Sequence, residues 1–507
     1  MPAYADLIIT DAHIHTVNDD RPVAEAVAVS DGRIVRVGDM TSVERLADVE
    51  TTIIPCDGRV VLPGFIDAHT HMESTGRHLV HADLSEATTR EEAIDLLTRG
   101  DVGHEWIFGF GYDESTWPEG ELLRRDDLDE VSTERPVVAY RVDMHTASIN
   151  SVALERVGDT LPEDDIELDE GEPTGLITED AVGVVSEQTA DASPTLALLE
   201  AATAHALSLG VTCVHDMVRH SDAPRVYRAL DIKDELDLRI RLNYWSNHLD
   251  AVDELGLQTN HGSDRVEVGA IKTFTDGAIG GRTAKVTEAY VDGEGTGTWV
   301  VDPDELEALI ERGDAAGHQL TIHAIGDEAI EVTLDKLEST DTPGRSRHRV
   351  EHVELASDEQ IQRFAESGII ASMQPNFHQW SGEGGLYDRR LGEARSRGSN
   401  RFRTMADAGV NLAFGSDSMP MGPLYGIHCA VNARDSSQRL TVDEAIEAYT
   451  IGSAYAGFAE DDLGSIEPGK LADLVILEES PWEVPNAIAE IEVWKTIVGG
   501  EVVYRSS

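Results

Sequence analysis

Over the first sixty residues apolar and polar positions alternate in short runs: ADLIIT, HIHTV, EAVAVSDGRIVRVGD and TTIIPCDGRVVLPG. A period of two predicts strands whose neighbouring side chains face opposite ways. Asp31-Gly32 and Asp57-Gly58 are hairpin signals between these runs. From residue 200 onward the pattern changes to an apolar run of strand length followed by an amphipathic stretch of helical period, repeated, as a parallel α/β sheet is written. The strand candidates are GFIDAHTH (64–71), GVTCVHDM (210–217), RIRLNYW (239–245), VGAIKTFTDG (268–277), QLTIHAIGD (319–327), HRVEHVEL (348–355), IIASMQPNF (369–377) and NLAFGSDS (411–418). Eight such units close a (β/α)8 TIM barrel.

The expected architecture is therefore α/β. A barrel spans 63–455, and an insertion after its first strand, about 75–200, stands over one end with strands at EWIFGFGYD and PVVAYRVDMH. Residues 1–62 and 456–507 return to turns and short strands, and they predict one small β-sandwich domain built from both chain ends. No repeat of solenoid period interrupts this reading.

Charge narrows the partners. Ninety-six acidic residues against 40 basic ones give a net charge of −56, a surface that repels phosphate and excludes nucleic acid as a partner. Acid is spread over segments that also carry apolar periodicity, so the chain is expected to fold rather than trail as an acidic tail. It reads as a halophilic protein of a salt-rich cytoplasm, where a Debye length of about 3 Å screens self-repulsion. Cys56, Cys213 and Cys429 are far apart and lack metal-type spacing, which fits buried thiols in a cytoplasmic protein. No apolar run approaches the roughly 20 residues needed to cross a bilayer, so no membrane association is expected.

The chemistry is sought at the C-terminal ends of the barrel strands, where such barrels carry their functional side chains. The first strand ends in His69 and His71, the fourth carries Lys272, the fifth His323, the sixth His352 and the eighth Asp417. A second His-x-His pair, His13 and His15, also places two imidazoles on one side of a strand. It lies mid-strand in the β-unit, without other ligand types at matching positions and on a sheet face expected to offer no cavity. His69 and His71 are taken as the ligand pair.

The segments LPGFIDAHTH, IKTFTDGAIGGRTA, LTIHAIGD, VEHVEL, FGSDS and GSIEPGKLADLVIL, in this order, resemble the amidohydrolase superfamily of metal-dependent hydrolases. GYDESTWPEG, KTFTDGAIGGRTA, IIASMQPNF and EAYTIGSAYAG are similar to its branch containing N-substituted formamide deformylase. The resemblance runs over nearly the whole chain. It departs at Asp143-Met144-His145, where the family's usual pattern has glycine in the middle.

Neutral imidazoles and carboxylates suit zinc, which keeps a coordination position open for water in catalytic sites. An ammonium would be repelled by a dication, but a lysine amine that captures carbon dioxide becomes a carbamate with two bridging oxygens. The resemblance implies that role for Lys272, one of six lysines in the chain. The expected centre has two Zn2+ per chain: His69, His71 and Asp417 on one, His323 and His352 on the other, with carboxylated Lys272 and a hydroxide between them. The hydroxide would attack an amide-type carbonyl while Asp417 carries the proton to the departing nitrogen.

Substrate contacts are expected from Asp143, His145, Arg282 and His378. Trp117 is read as packing, and His215 with Asp216 as an orienting pair behind the ligands. The implied activity is hydrolysis of a carbon–nitrogen bond other than a peptide bond in a small molecule. Deamination of a cyclic amidine and lactone or ester hydrolysis are alternatives on the same centre, and a metal-free assembly role would require lost ligands. The resemblance also admits a homodimer.

Overall fold

The computed structural model describes residues 4–100, 105–142, 146–189, 194–219 and 221–506. By internal contact the chain divides into two units, Met1–His71 with Thr203–His220 and Tyr227–Ser507, and Met72–Ala202 with Ser221–Val226.

In the first unit eight strands form one parallel sheet: β1 (Phe65–Thr70), β2 (Val211–Val218), β3 (Arg239–Trp245), β4 (Val266–Phe274), β5 (Leu320–Ala324), β6 (Arg349–His352), β7 (Ile370–Met373) and β8 (Leu412–Phe414). They pair in chain order from β1 to β8. The backbone N–H groups of Ser416 and Asp417 donate to the His69 carbonyl at 3.2 and 2.7 Å, which brings the ends of β8 and β1 together and nearly closes a TIM-type barrel. Gly415 permits that approach, because a Cβ there would lie 2.4 Å from the His69 nitrogen.

Every residue of β1, β2, β5, β6 and β7 is buried, as parallel strands covered on both faces require. The helices between them start and stop by local chemistry. Asp358–Ser367 is capped by Ser357, whose hydroxyl accepts from the Gln360 N–H while the Gln360 side chain reaches back, and Gly368 at φ 71° ends it.

All eight expected strands are present, but the last four are shorter than the apolar runs suggest. β7 stops at Met373, since Pro375 has no N–H to offer a ladder and opens a helical turn over Pro375–Trp380. β8 stops at Phe414, before Asp417 and Ser418 turn into left-handed backbone at φ 54° and 60°.

Both chain ends contribute to one six-stranded sheet, in which Leu474–Leu477 pairs antiparallel with Val60–Pro63, which in turn pairs with His13–His15. A four-stranded sheet of Arg33–Gly38, Ala26–Ser30, Leu7–Thr10 and Thr52–Pro55 shares an apolar cluster with it, including Ile9, Ile14, Val27, Val61 and Ile476.

The second unit has its own six-stranded sheet. The expected strands appear at Ile107–Tyr112 and Val137–Arg141, beside Thr146–Ile149, Glu172–Thr178 and others. Trp117 is buried there and donates to the Ala87 carbonyl at 2.8 Å, as a packing residue does. Among the described residues no helix is long and apolar enough to cross a membrane.

Candidate metal centre

The C-terminal ends of β1, β6 and β8 bring His69, His352 and Asp417 together, with ligand atoms all within 4.8 Å of one another. Asp417 Oδ1 lies 3.4 Å from His69 Nε2 and 3.1 Å from His71 Nε2. The His352 ring centroid is 5.0 Å from that of His69 and 4.4 Å from that of His323. Lys272 is buried on β4, its amine 5.0 Å from the centre of the Phe274 ring. The structure thus gathers the expected ligands of five strands at one end of the barrel, with Asp417 between His69 and His71.

Their protonation follows from what surrounds them. His69 Nδ1 lies 2.5 Å from the Glu351 carboxylate, which can only accept, so Nδ1 carries the hydrogen and the Nε2 lone pair faces Asp417. His323 Nε2 lies 3.0 Å from the Gly277 carbonyl, which leaves Nδ1 as its free lone pair. Burial, then the neighbouring His352, hold His323 well below the ordinary imidazole range, and burial, then His69, bring His352 to about 3. Burial lowers the Lys272 amine to about 8. Its Nζ and the Nδ1 of His352 are buried with no hydrogen-bond partner among the described residues. Buried polar atoms normally find partners, so two orphans in one cluster mark a place where something else binds.

The backbone agrees. His352, Val353, Asp417 and Ser418 all have φ between 51° and 73°, where non-glycine residues cost of order 1–3 kcal/mol each and where strain gathers at functional sites.

Several members of the centre were missed by the sequence reading. Glu351, which orients His69, is itself held by Arg349, whose Nε and Nη2 lie 2.9 and 2.8 Å from it, and by the Thr321 hydroxyl. Arg349 is fully buried and also donates to the Ala68 carbonyl, the Ser372 hydroxyl and Nδ1 of His215. Asp67 accepts from the backbone and hydroxyl of Ser416, tying β1 to the Asp417 turn, and burial pushes it up to about 7. Asp276 accepts from the N–H groups of Lys285, Ile325 and Gly326 beside His323. The available signal was charge inside otherwise apolar strands: in IDAHTH, residues 67, 69 and 71 alternate onto one face, and in RVEH, 349 and 351 do.

The other expected residues stand apart from this cluster or beyond description. Asp143 and His145 lie outside the described residues. Arg282 is held by Asp292 through two 3.0 Å contacts. His378 sits on the helical turn after β7, with Nδ1 3.0 Å from the Ser381 hydroxyl and a buried Nε2 that has no partner among the described residues. His215 reaches the centre through Arg349 rather than by touching a ligand, and Asp216 accepts from Tyr227.

The His13–His15 strand differs from its expected surroundings. Its face is lined by cavities of about 440 and 780 Å3, the smaller also bounded by Glu478, Glu479 and Glu483, which corrects the expectation of no cavity. Its partner at the sheet edge, Val23–Ala24, is only two residues long, and residues Glu478, Glu479, Ser480, Glu483 and Val484 of the C-terminal segment line the smaller cavity. Even so, among the described residues no three ligand atoms gather there within 4.8 Å. His15 stacks on Trp482, centroids 3.7 Å apart and rings inclined by 11°.

Comparison with known proteins places these features in context. A model of the amidohydrolase family matches residues 52–504. The chain is 32% identical to a putative amidohydrolase, YtcJ, of Bacillus subtilis over 97% of this chain and 98% of that one. It is 29% identical to N-substituted formamide deformylase of Arthrobacter pascens, over 100% of this chain and 99% of that one. An uncharacterised metal-dependent hydrolase from Pyrococcus furiosus superposes with a TM-score of 0.81 at 31% identity, covering 94% of this chain and 99% of that one.

Proposed function

The chain belongs to the amidohydrolase family and is an enzyme that hydrolyses carbon–nitrogen bonds, and from that premise we propose that it releases an amine from a small amide or formamide at a divalent-metal centre in the barrel mouth. The observation that carries the proposal is the convergence of His69, His352 and Asp417 within 4.8 Å, beside a buried Lys272 amine that lacks a partner among the described residues.

The residues present fit a metal. His69, His71 and Asp417 would hold one ion, His323 and His352 a second, and Lys272, as its carbamate, would bridge them. Neutral imidazoles with carboxylates match zinc. When bound, such an ion supplies Lewis acidity, bringing the pKa of water from about 15.7 to near 7 and polarising a carbonyl oxygen.

The chain supplies the rest. Glu351 fixes the tautomer of His69, and Arg349 fixes Glu351, so the ligand lone pair is set before anything binds. Asp417 lies within 3.4 Å of both His69 and His71, so it is placed to take a proton from the attacking water and pass it to the departing nitrogen. Phe274, stacked on His323 at 4.2 Å, and Phe377, stacked on His352, wall the cluster with apolar surface that limits water.

The relative acting on N-substituted formamides supports amide-type substrates. The experiment is a panel of N-formyl amines, cyclic amides, aminopyrimidines and lactones, assayed with zinc in molar potassium chloride because of the charge of −56. Turnover confined to N-formyl amines and amides supports the proposal. Turnover confined to aminopyrimidines or lactones overturns it in favour of deamination or ester hydrolysis.

A further inference from the structure

A third cavity lies at the end of the barrel opposite the metal ligands, among the N-terminal ends of β1 to β4, where Ile66, Cys213, Arg239 and Glu267 stand. Its volume is about 160 Å3, room for several waters at roughly 30 Å3 each, or for one small oxyanion and its hydration.

Barrel interiors of this kind are normally filled with layers of branched apolar side chains. Here the strand register sets His215, Arg241 and Glu267 directly opposite one another on β2, β3 and β4. Arg241 is 3% exposed, and its Nε has no hydrogen-bond partner among the described residues. His215 must accept on Nδ1 from Arg349, which can only donate, so its Nε2 carries a hydrogen. That Nε2 and the Arg241 Cδ pack closely against Gly457, where a Cβ would sit 2.9 Å from one and 3.3 Å from the other, so that a side chain there would displace both. Arg265, which also lines the cavity, has no carboxylate partner among the described residues.

Of the three acidic residues of the lining, Asp264, Glu267 and Asp462, the last two are engaged by arginines. Glu267 accepts from Arg241 at 3.1 Å, and Asp462 pairs with Arg33 at 2.6 Å. The donors left facing the cavity are an arginine Nε–H, an imidazole N–H and a guanidinium, in a chain whose surface otherwise repels anions. Arg241 pairs through its other nitrogens with Glu267 and Asn260, but a buried Nε–H without an acceptor still costs of order 1–3 kcal/mol, so the arrangement calls for one.

We propose that this cavity is a binding site for a small tetrahedral oxyanion, held by Arg241, His215 and Arg265, with Gly457 allowing the first two to take up their positions. The site is remote from the metal ligands along the strands, yet contacts connect the two: His215 touches Arg349, Arg349 touches Glu351, and Glu351 touches His69.

The test uses sulfate on the metal-loaded full chain. Crystals soaked in selenate should show an anomalous peak within hydrogen-bond distance of Arg241 Nε and His215 Nε2. In solution, sulfate should raise the melting temperature above potassium chloride at matched ionic strength. Arg265→Gln should weaken apparent sulfate affinity roughly tenfold, the effect of losing one charge-assisted hydrogen bond. Gly457→Ala, which keeps every charge but fills the space, should abolish the anomalous peak. If chloride at matched ionic strength stabilises equally, if both variants respond to sulfate as the parent does, or if selenate appears only at the metal end, the proposal is overturned.

Discussion

The chain carries two His-x-His strands, and the difference between them shows what makes a metal site. His13 and His15 stand on a strand of the terminal sheet, beside a larger cavity than many ligands need and near three glutamates. His69 and His71 stand at the end of a barrel strand, and His69 is buried, 1% exposed. Only the second pair has a carboxylate within 3.4 Å of both rings and a glutamate fixing a tautomer. The pair itself is the same in both places. What differs is long-range: Asp417, His352 and Glu351 come from strands about 280 to 350 residues further along, and the barrel, not the motif, delivers them.

The largest effect should come from Asp417→Asn, which keeps the shape of the centre and removes its base. We expect kcat to fall by roughly 10²–10⁴-fold with much of the metal content retained. Turnover equal to the parent would take Asp417 out of the proton path and erase the clearest difference between the two strands. Next, Glu351→Gln should lower metal affinity about 10- to 100-fold, measured by competition with a chelator, because the acceptor that orients His69 loses its charge. Unchanged affinity would mean that the surroundings of His69 matter no more than those of His15.

His15→Ala should leave turnover intact and lower stability by about 1 kcal/mol, the scale of a lost aromatic stack, in chemical denaturation. A loss of activity there would break the contrast from the other side.

The smallest effect concerns Arg282. The hydrogen bond from Arg282, together with Arg390, lowers Asp292 to about 2 in the folded protein. A carboxylate depressed on folding stabilises above its unfolded value of about 3.8, and that contribution is lost as pH falls toward 2. Arg282→Gln should therefore be slightly less stable than the parent near pH 6, with the gap closing toward pH 2. Impaired substrate binding with no such stability gap would assign Arg282 to substrate instead of to Asp292.

Most of the barrel was legible, because eight apolar runs separated by amphipathic stretches leave few alternatives, and His69, His71, Lys272, His323, His352 and Asp417 all fall at strand ends in that frame. Strand length was less legible where a side chain or backbone special intervenes, as at Pro375 and Asp417. In the second unit Thr146–Ile149 and Ile166–Asp169 escaped notice, being four residues each and, in the latter, charged at two positions. Arg349 and Glu351 were hidden for a different reason. In sequence they look like surface charges, and only a buried pairing with His69, His215 and each other explains charge on a core strand. The smaller cavity beside His13 and His15 could not be anticipated either, since it depends on a loop from the far end of the chain.

The contrast between the two strands reduces to where the metal resides, and metal content measures that directly. Elemental analysis after dialysis should find divalent metal at full stoichiometry in the parent and in His13→Ala/His15→Ala, and little in His69→Ala/His71→Ala. Metal retained by the second double variant, or lost from the first, would contradict the account.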